Sequence, residues 1–174
     1  MKRFFVVFTI FIYVFTSGCN LENSNGKEQV FASTAPQIMF DKIISALDNK
    51  DEEELKSLFA VNALNKAQDI EQQIIDIMEF YKGKFISNSS FDTGSSSGAQ
   101  KYGEWIYLFI SPRIKELKTD EAVYLLSFNS VPVDNENPND VGLWGIWLRV
   151  MDGDTIISEC QVGVPYLGRA DELK

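Results

Sequence analysis

The chain contains no histidine, only two cysteines and five prolines in 174 residues, and no long apolar run beyond one near its start. Without histidine, no His-based nucleophile system can be assembled. With no imidazole and one thiol besides Cys19, the ligands of a zinc centre are missing as well. Basic residues are also scarce, 16 Lys and Arg against 25 Asp and Glu, for a net charge of −9. A surface so acidic repels polyphosphate, so no nucleic-acid partner is expected. The oxygen-rich run Asp134 to Asp140 lacks the alternating ligands, central Gly and terminal Glu of an EF-hand loop, and reads as a turn. The run Asp92 to Gly98 lacks the lysine of a phosphate-binding loop and reads as a mobile loop. No metal and no cofactor are expected.

What is present begins with a leader. Lys2 and Arg3 precede twelve residues, Phe4 to Phe15, that are largely apolar. That run is well short of the roughly 20 residues a spanning helix needs, and reads as a signal peptide over residues 1–18. Ser17, Gly18 and Cys19 then resemble the bacterial lipobox, with Thr16 standing where Leu is commonest. The resemblance implies cleavage before Cys19, a diacylglyceryl group on its thiol and palmitate-type acylation. The membrane partner would then be reached through lipid, with the domain on the extracytoplasmic face of the cell membrane. Residues 19–33, polar and without apolar periodicity, read as a flexible tether. Residues 34–174 read as one domain, large enough to bury a single core. Cys160 lies in a strand-like run and reads as a small core residue, not as a disulfide partner of Cys19.

The domain opens helically. Phe40, Ile43, Ile44 and Leu47 make one apolar stripe, with Pro36 in the first turn, and predict a helix over 36–48. Asp51 and Glu54 form a capping-box-like start to a short second helix ending near Ala60. Ile70, Ile74, Ile77, Met78 and Tyr81 predict a third helix, with Gly83 as a left-handed cap. The period then switches to two. A modest strand covers 84–90, and further strands are predicted over 99–117, 122–133, 142–151 and 155–162. Short turns between them imply an antiparallel meander, bent at Pro112, which cannot donate to a ladder.

If Leu117 faces Ala122 and Val133 faces Gly142 across the turns, the meander has two unlike faces. Ile106, Leu108, Ile110, Val123, Leu125, Val131, Trp144, Ile146, Leu148 and Val150 form an aliphatic face for the helices. Tyr107, Phe109, Tyr124, Phe128 and Trp147, with Arg113, Lys115 and Arg149, form an aromatic face, a candidate homodimer or protein-partner surface. Aromatic cross-strand pairs that merely stabilise a half-exposed sheet are the alternative. Toward one end, Tyr102, Glu104, Asn129 and Trp144 are candidates to line a small-ligand pocket.

Three helices before a curved antiparallel meander resemble the cystatin-like or nuclear-transport-factor-like α+β cone. Leu58 to Leu64, the helix end Glu79-Phe80-Tyr81-Lys82-Gly83-Lys84 and the run Asn137 to Leu143 resemble a family of Gram-positive lipoproteins whose domain has no assigned function. That family transfers no catalytic residues. The expected role is therefore a non-catalytic, membrane-anchored domain that binds a ligand or partner. Enzymes of the resembled cone imply an alternative, an isomerase or dehydratase using Glu104 with Tyr102 or Asn129, which needs a buried carboxylate. A purely structural envelope role is a third reading.

Overall fold

The computed structural model describes residues 24–92 and 96–166. The expected signal peptide, Cys19 and the loop residues Gly94 and Ser95 lie outside the described residues.

Four helices come first: α1 (Ser24–Asn49), α2 (Glu52–Ser57), α3 (Val61–Lys66) and α4 (Ile70–Phe80). Helix α1 starts twelve residues before its predicted beginning, so residues 24–33, expected as tether, are helical. Phe31 and Ala32 on that extension pack against the core, which gives a polar stretch a tertiary reason to be helical. Pro36 thus sits inside the helix and not in its first turn, removing one backbone hydrogen bond there. The predicted stripe is the buried one: Phe40, Ile43 and Leu47 are all at most 2% exposed. Asp51 caps α2, its carboxylate accepting from the Glu54 amide at 2.8 Å. Helix α3 was not predicted. Helix α4 ends at Phe80, and Gly83 (φ +78°) lies beyond it, in a turn packed against Thr119 and Asp120, not as the cap itself.

Eight antiparallel strands follow among the described residues: β1 (Phe85–Asn88), β2 (Phe91–Asp92), β3 (Ser96–Lys101), β4 (Glu104–Ile110), β5 (Arg113–Thr119), β6 (Val123–Asp134), β7 (Gly142–Asp152) and β8 (Thr155–Gly163). The fold is thus α+β, an N-terminal helical region on an open antiparallel sheet. Strands β4 and β5 are two halves of one run broken at Ser111 and Pro112, and both pair with β6, as the proline predicted. The run does not begin at residue 99. Tyr102 (φ 55°) and Gly103 (φ 85°) make a two-residue turn with both central residues left-handed, and Ser96–Gly98, expected as loop, belong to β3.

Over Val123 to Phe128 the predicted faces of β6 are inverted, while Val131 is in the core as expected. Tyr124, Leu126 and Phe128 are fully buried in the core, while Val123 and Leu125 lie on the other side. Two irregularities cause this. Between Ile114 and Leu117 the β5–β6 register slips by one, so both residues face the core. Opposite Asn129 and Ser130, β7 carries an extra residue, Trp144, between Leu143 and Gly145. Phe128 therefore faces Ile146, and one residue of slip turns every side chain over. The assignments of Leu108, Ile110, Ile146 and Leu148 to the core hold.

Helix α1 is held to the sheet edge by Phe40, whose ring meets Phe85 and Phe91 edge-on at 5.8 and 5.5 Å. At the other end, Leu143 donates from its amide to Leu58 (2.8 Å) and accepts from Ala60 (2.9 Å), a parallel bridge joining β7 to the α2–α3 junction. Gly142 (φ +133°) makes this approach: a Cβ there would stand 2.7 Å from the Ala60 nitrogen.

Candidate functional site

The sequence-predicted residues do not converge. Tyr102 is 92% exposed at the β3–β4 turn, and Glu104 is exposed at the start of β4. Asn129 is half-buried on β6, its Oδ1 accepting from the Ser111 hydroxyl at 2.7 Å. Trp144 is buried; its indole donates to the Asp140 carbonyl at 2.9 Å, and Lys66 lies 5.0 Å over its ring. Exposed at the strand start, Glu104 is not the buried carboxylate that the isomerase or dehydratase reading needs. Of the aromatic face, Tyr124 and Phe128 are core residues, a correction that follows from the register slip above. Tyr107 and Phe109 remain on the outer face, but Tyr166 stacks against both, at 6.4 and 5.1 Å, and meets Trp144 edge-on at 4.7 Å. Trp147 is half-buried opposite Ser127 and Gln161. Two of the cations of this face are in ion pairs, Lys115 with Asp92 (3.1 Å) and Arg149 with Glu159 (2.6 Å). Cys160 is half-buried, and burial followed by the nearby Asp76 pushes its thiol up, away from reactivity.

Among the described residues, hollows on the helical side include the following two. The first, of about 420 Å³, is lined by Lys50, Tyr81, Lys82, Gly83, Met78 and three carboxylates, Glu52, Glu79 and Glu121. Its two inner polar side chains, Lys50 and Tyr81, are already engaged. The Lys50 ammonium donates to the Met78 and Tyr81 carbonyls, closing the C-terminus of α4. The Tyr81 hydroxyl donates to Asp48 at 2.8 Å, and the same carboxylate accepts from the Phe85 amide at 3.1 Å. Burial first, and then the bond to Asp48, pushes the Tyr81 hydroxyl far up from its ordinary range. Burial, then the neighbouring Lys82 and Lys84, lowers Lys50. Tyr124 accepts from the Lys82 amide at 2.7 Å. This is a part-buried polar network that fixes the helix end.

The second hollow is a groove of about 320 Å³ between α1 and the far end of β6. Phe31, Ala35, Ile38 and Met39 line it from α1, and Leu58, Phe59, Val131, Pro132 and Val141 from the α2 end, β6 and the loop before β7. Spacing of three and four residues places the α1 members along one side of the helix. Ile38 and Val141 remain 49% and 41% exposed at its mouth. Lys42 is the one charged residue of the lining. Such a concave, mostly apolar site with few polar groups is how small-ligand pockets are built. The sequence reading missed it, because the lining residues span Phe31 to Gly142. Ile38 and Val141, apolar residues outside the predicted stripes, are the only local signal.

Among the described residues, no three acidic or thiol side chains cluster to hold a metal, and no helix is long and apolar enough to cross a membrane. Residues 42–156 match the family described as "Domain of unknown function (DUF5104)". No curated protein matches the chain. The match takes in the segments Leu58–Leu64, Glu79–Lys84 and Asn137–Leu143, and begins at Lys42, so Phe31, Ala35, Ile38 and Met39 of the groove lie ahead of it.

Proposed function

Since the chain belongs to the DUF5104 family, a domain of unknown function, we propose from its geometry that it is a non-catalytic binding domain whose site is the α1–β6 groove. The observation that carries this reading is the apolar groove itself, open at Ile38 and Val141 and pinned at its floor by the Gly142–Leu143 bridge to Leu58 and Ala60. Exposed apolar surface in a concave site is a standing cost unless something covers it. The same reading holds the domain at the outer face of the cell membrane through lipid on Cys19. The leader pattern and the run of only a few residues between Cys19 and α1 support this. Helices gathered on one side of a bent meander support a cystatin-like or nuclear-transport-factor-like cone.

Two measurements test the two parts. Cys19→Ser should release the chain from the membrane fraction, and equal fractionation of mutant and parent contradicts the anchor. A thermal-shift screen of the full chain against a library of apolar metabolites should find compounds that raise its Tm, with the rise lost in Ile38→Glu. If no compound raises Tm, or the variant responds as the parent does, the groove is not the site.

A further inference from the structure

We infer that the groove takes the hydrocarbon chain of a single-chain anionic amphiphile, with its headgroup carboxylate or phosphate at Lys42. This deepens the binding reading above and rests on it. Three observations converge.

The first is size and lining. A cavity of about 320 Å³ stands at the small end of the range for ligand pockets, roughly 300–1,000 Å³. It admits one flexible chain or a small lipophile, not a folded partner. Its walls, from Phe31 to Met39 on one side and Leu58, Val131 and Pro132 on the other, offer dispersion contacts and almost no directional bonds.

The second is charge. The whole chain carries −9, yet no Asp or Glu lines the groove, and its one ion is a lysine. Among the described residues, no carboxylate stands within ion-pair distance of Lys42, whereas Lys50 of the polar hollow donates to two carbonyls. An anion is the complement such a site lacks, and a cationic or neutral headgroup gains nothing from it.

The third is position. Lys42 lies at the opposite end of the α1 wall from Phe31, so a chain laid along the helix runs from the cation toward the N-terminal end of α1. Phe31 is only twelve residues from Cys19. A groove so close in sequence to a lipid anchor is within short reach of the membrane, where single-chain amphiphiles reside.

The test uses the full chain and photoreactive twelve-carbon probes with three headgroups: a fatty acid, a lysophosphatidic acid and a fatty alcohol. Cross-linked residues are located by mass spectrometry. Adducts of both acids on the α1 wall and on 131–141, outnumbering those of the alcohol about two- to fivefold, support the inference at the strength of an exposed ion pair. Lys42→Glu should remove that preference and leave alcohol labelling unchanged. Ile38→Glu and Val141→Glu, both at exposed positions that tolerate charge, should each reduce groove labelling. Labelling by only one acid assigns the natural headgroup, carboxylate or phosphate. Adducts scattered over the surface, equal labelling by alcohol and acids, or an unchanged pattern in Lys42→Glu overturn the inference. An anion-independent groove signal would do so while leaving the groove as a binding site intact.

Discussion

The two hollows on the helical side differ in the opposite sense from their sizes. The larger, near 420 Å³, has Lys50 and Tyr81 in its wall, both already bonded at the end of α4, to the Met78 and Tyr81 carbonyls and to Asp48. The smaller, near 320 Å³, is lined by side chains whose apolar surface is left facing water at Ile38 and Val141. Charge and volume would have pointed to the first. What the inner groups already do points to the second, because Lys50 and Tyr81 are committed to holding the helix end and an uncovered apolar groove is open to a ligand.

The comparison is most exposed to mutation at the polar hollow. Tyr81→Ala removes a fully buried ring stacked on Tyr124 at 5.6 Å and takes the donor away from Asp48. A loss of about 3–5 kcal/mol in urea unfolding is expected, with labelling of the groove unchanged in the fraction that remains folded. Gly142→Ala acts at the groove. It forces a side chain into a left-handed backbone and against Ala60, which should cost roughly 1–3 kcal/mol and loosen the bridge to Leu58. Unlike Tyr81→Ala, it should also weaken apolar ligands.

Alkaline unfolding separates the hollows by a different route. Tyr81 holds its proton far more tightly folded than unfolded, where a tyrosine titrates near 10. The stability this contributes is present below about pH 10 and lost as pH rises above it. Tyr81→Phe should flatten that decline, and the groove variant Ile38→Glu should leave it as steep as in the parent. Smallest of all is the effect of Ile38→Glu on folding itself, within about 0.5 kcal/mol because the position is half in water. A larger loss would mean that Ile38 is part of the core and not of a binding surface.

The helices that bury one regular stripe were legible in the sequence: Phe40 to Leu47, the Asp51 cap and Ile70 to Tyr81 all fall where a 3.6-residue period puts them. Strands β5 to β8 were legible as elements of a meander, including the break at Pro112, while β2 and the start of β3 fell in the expected loop. Their faces were not. Alternation is a local signal, but the slip between Ile114 and Leu117 and the extra residue at Trp144 are set by pairing with another strand, and they turn over the stretch of β6 from Val123 to Phe128. Tyr124 and Phe128 were misplaced for that reason alone. The Tyr102–Gly103 turn was missed because a tyrosine rarely takes a left-handed backbone. The groove was invisible for a related reason, since α1 residues that look like tether complete it only once folded against Val131 and Val141.

The chain contains four methionines, and two of them report on the two hollows: Met39 lines the groove and Met78 the polar hollow. Carbon-13 methyl labelling of methionine in the full chain, titrated with dodecanoate, therefore reads both at once. The Met39 methyl signal should move saturably while Met78 and Met151 stay in place. A shift at Met78 with Met39 unmoved, or no saturable shift at Met39, would contradict the claim that the groove is the binding site.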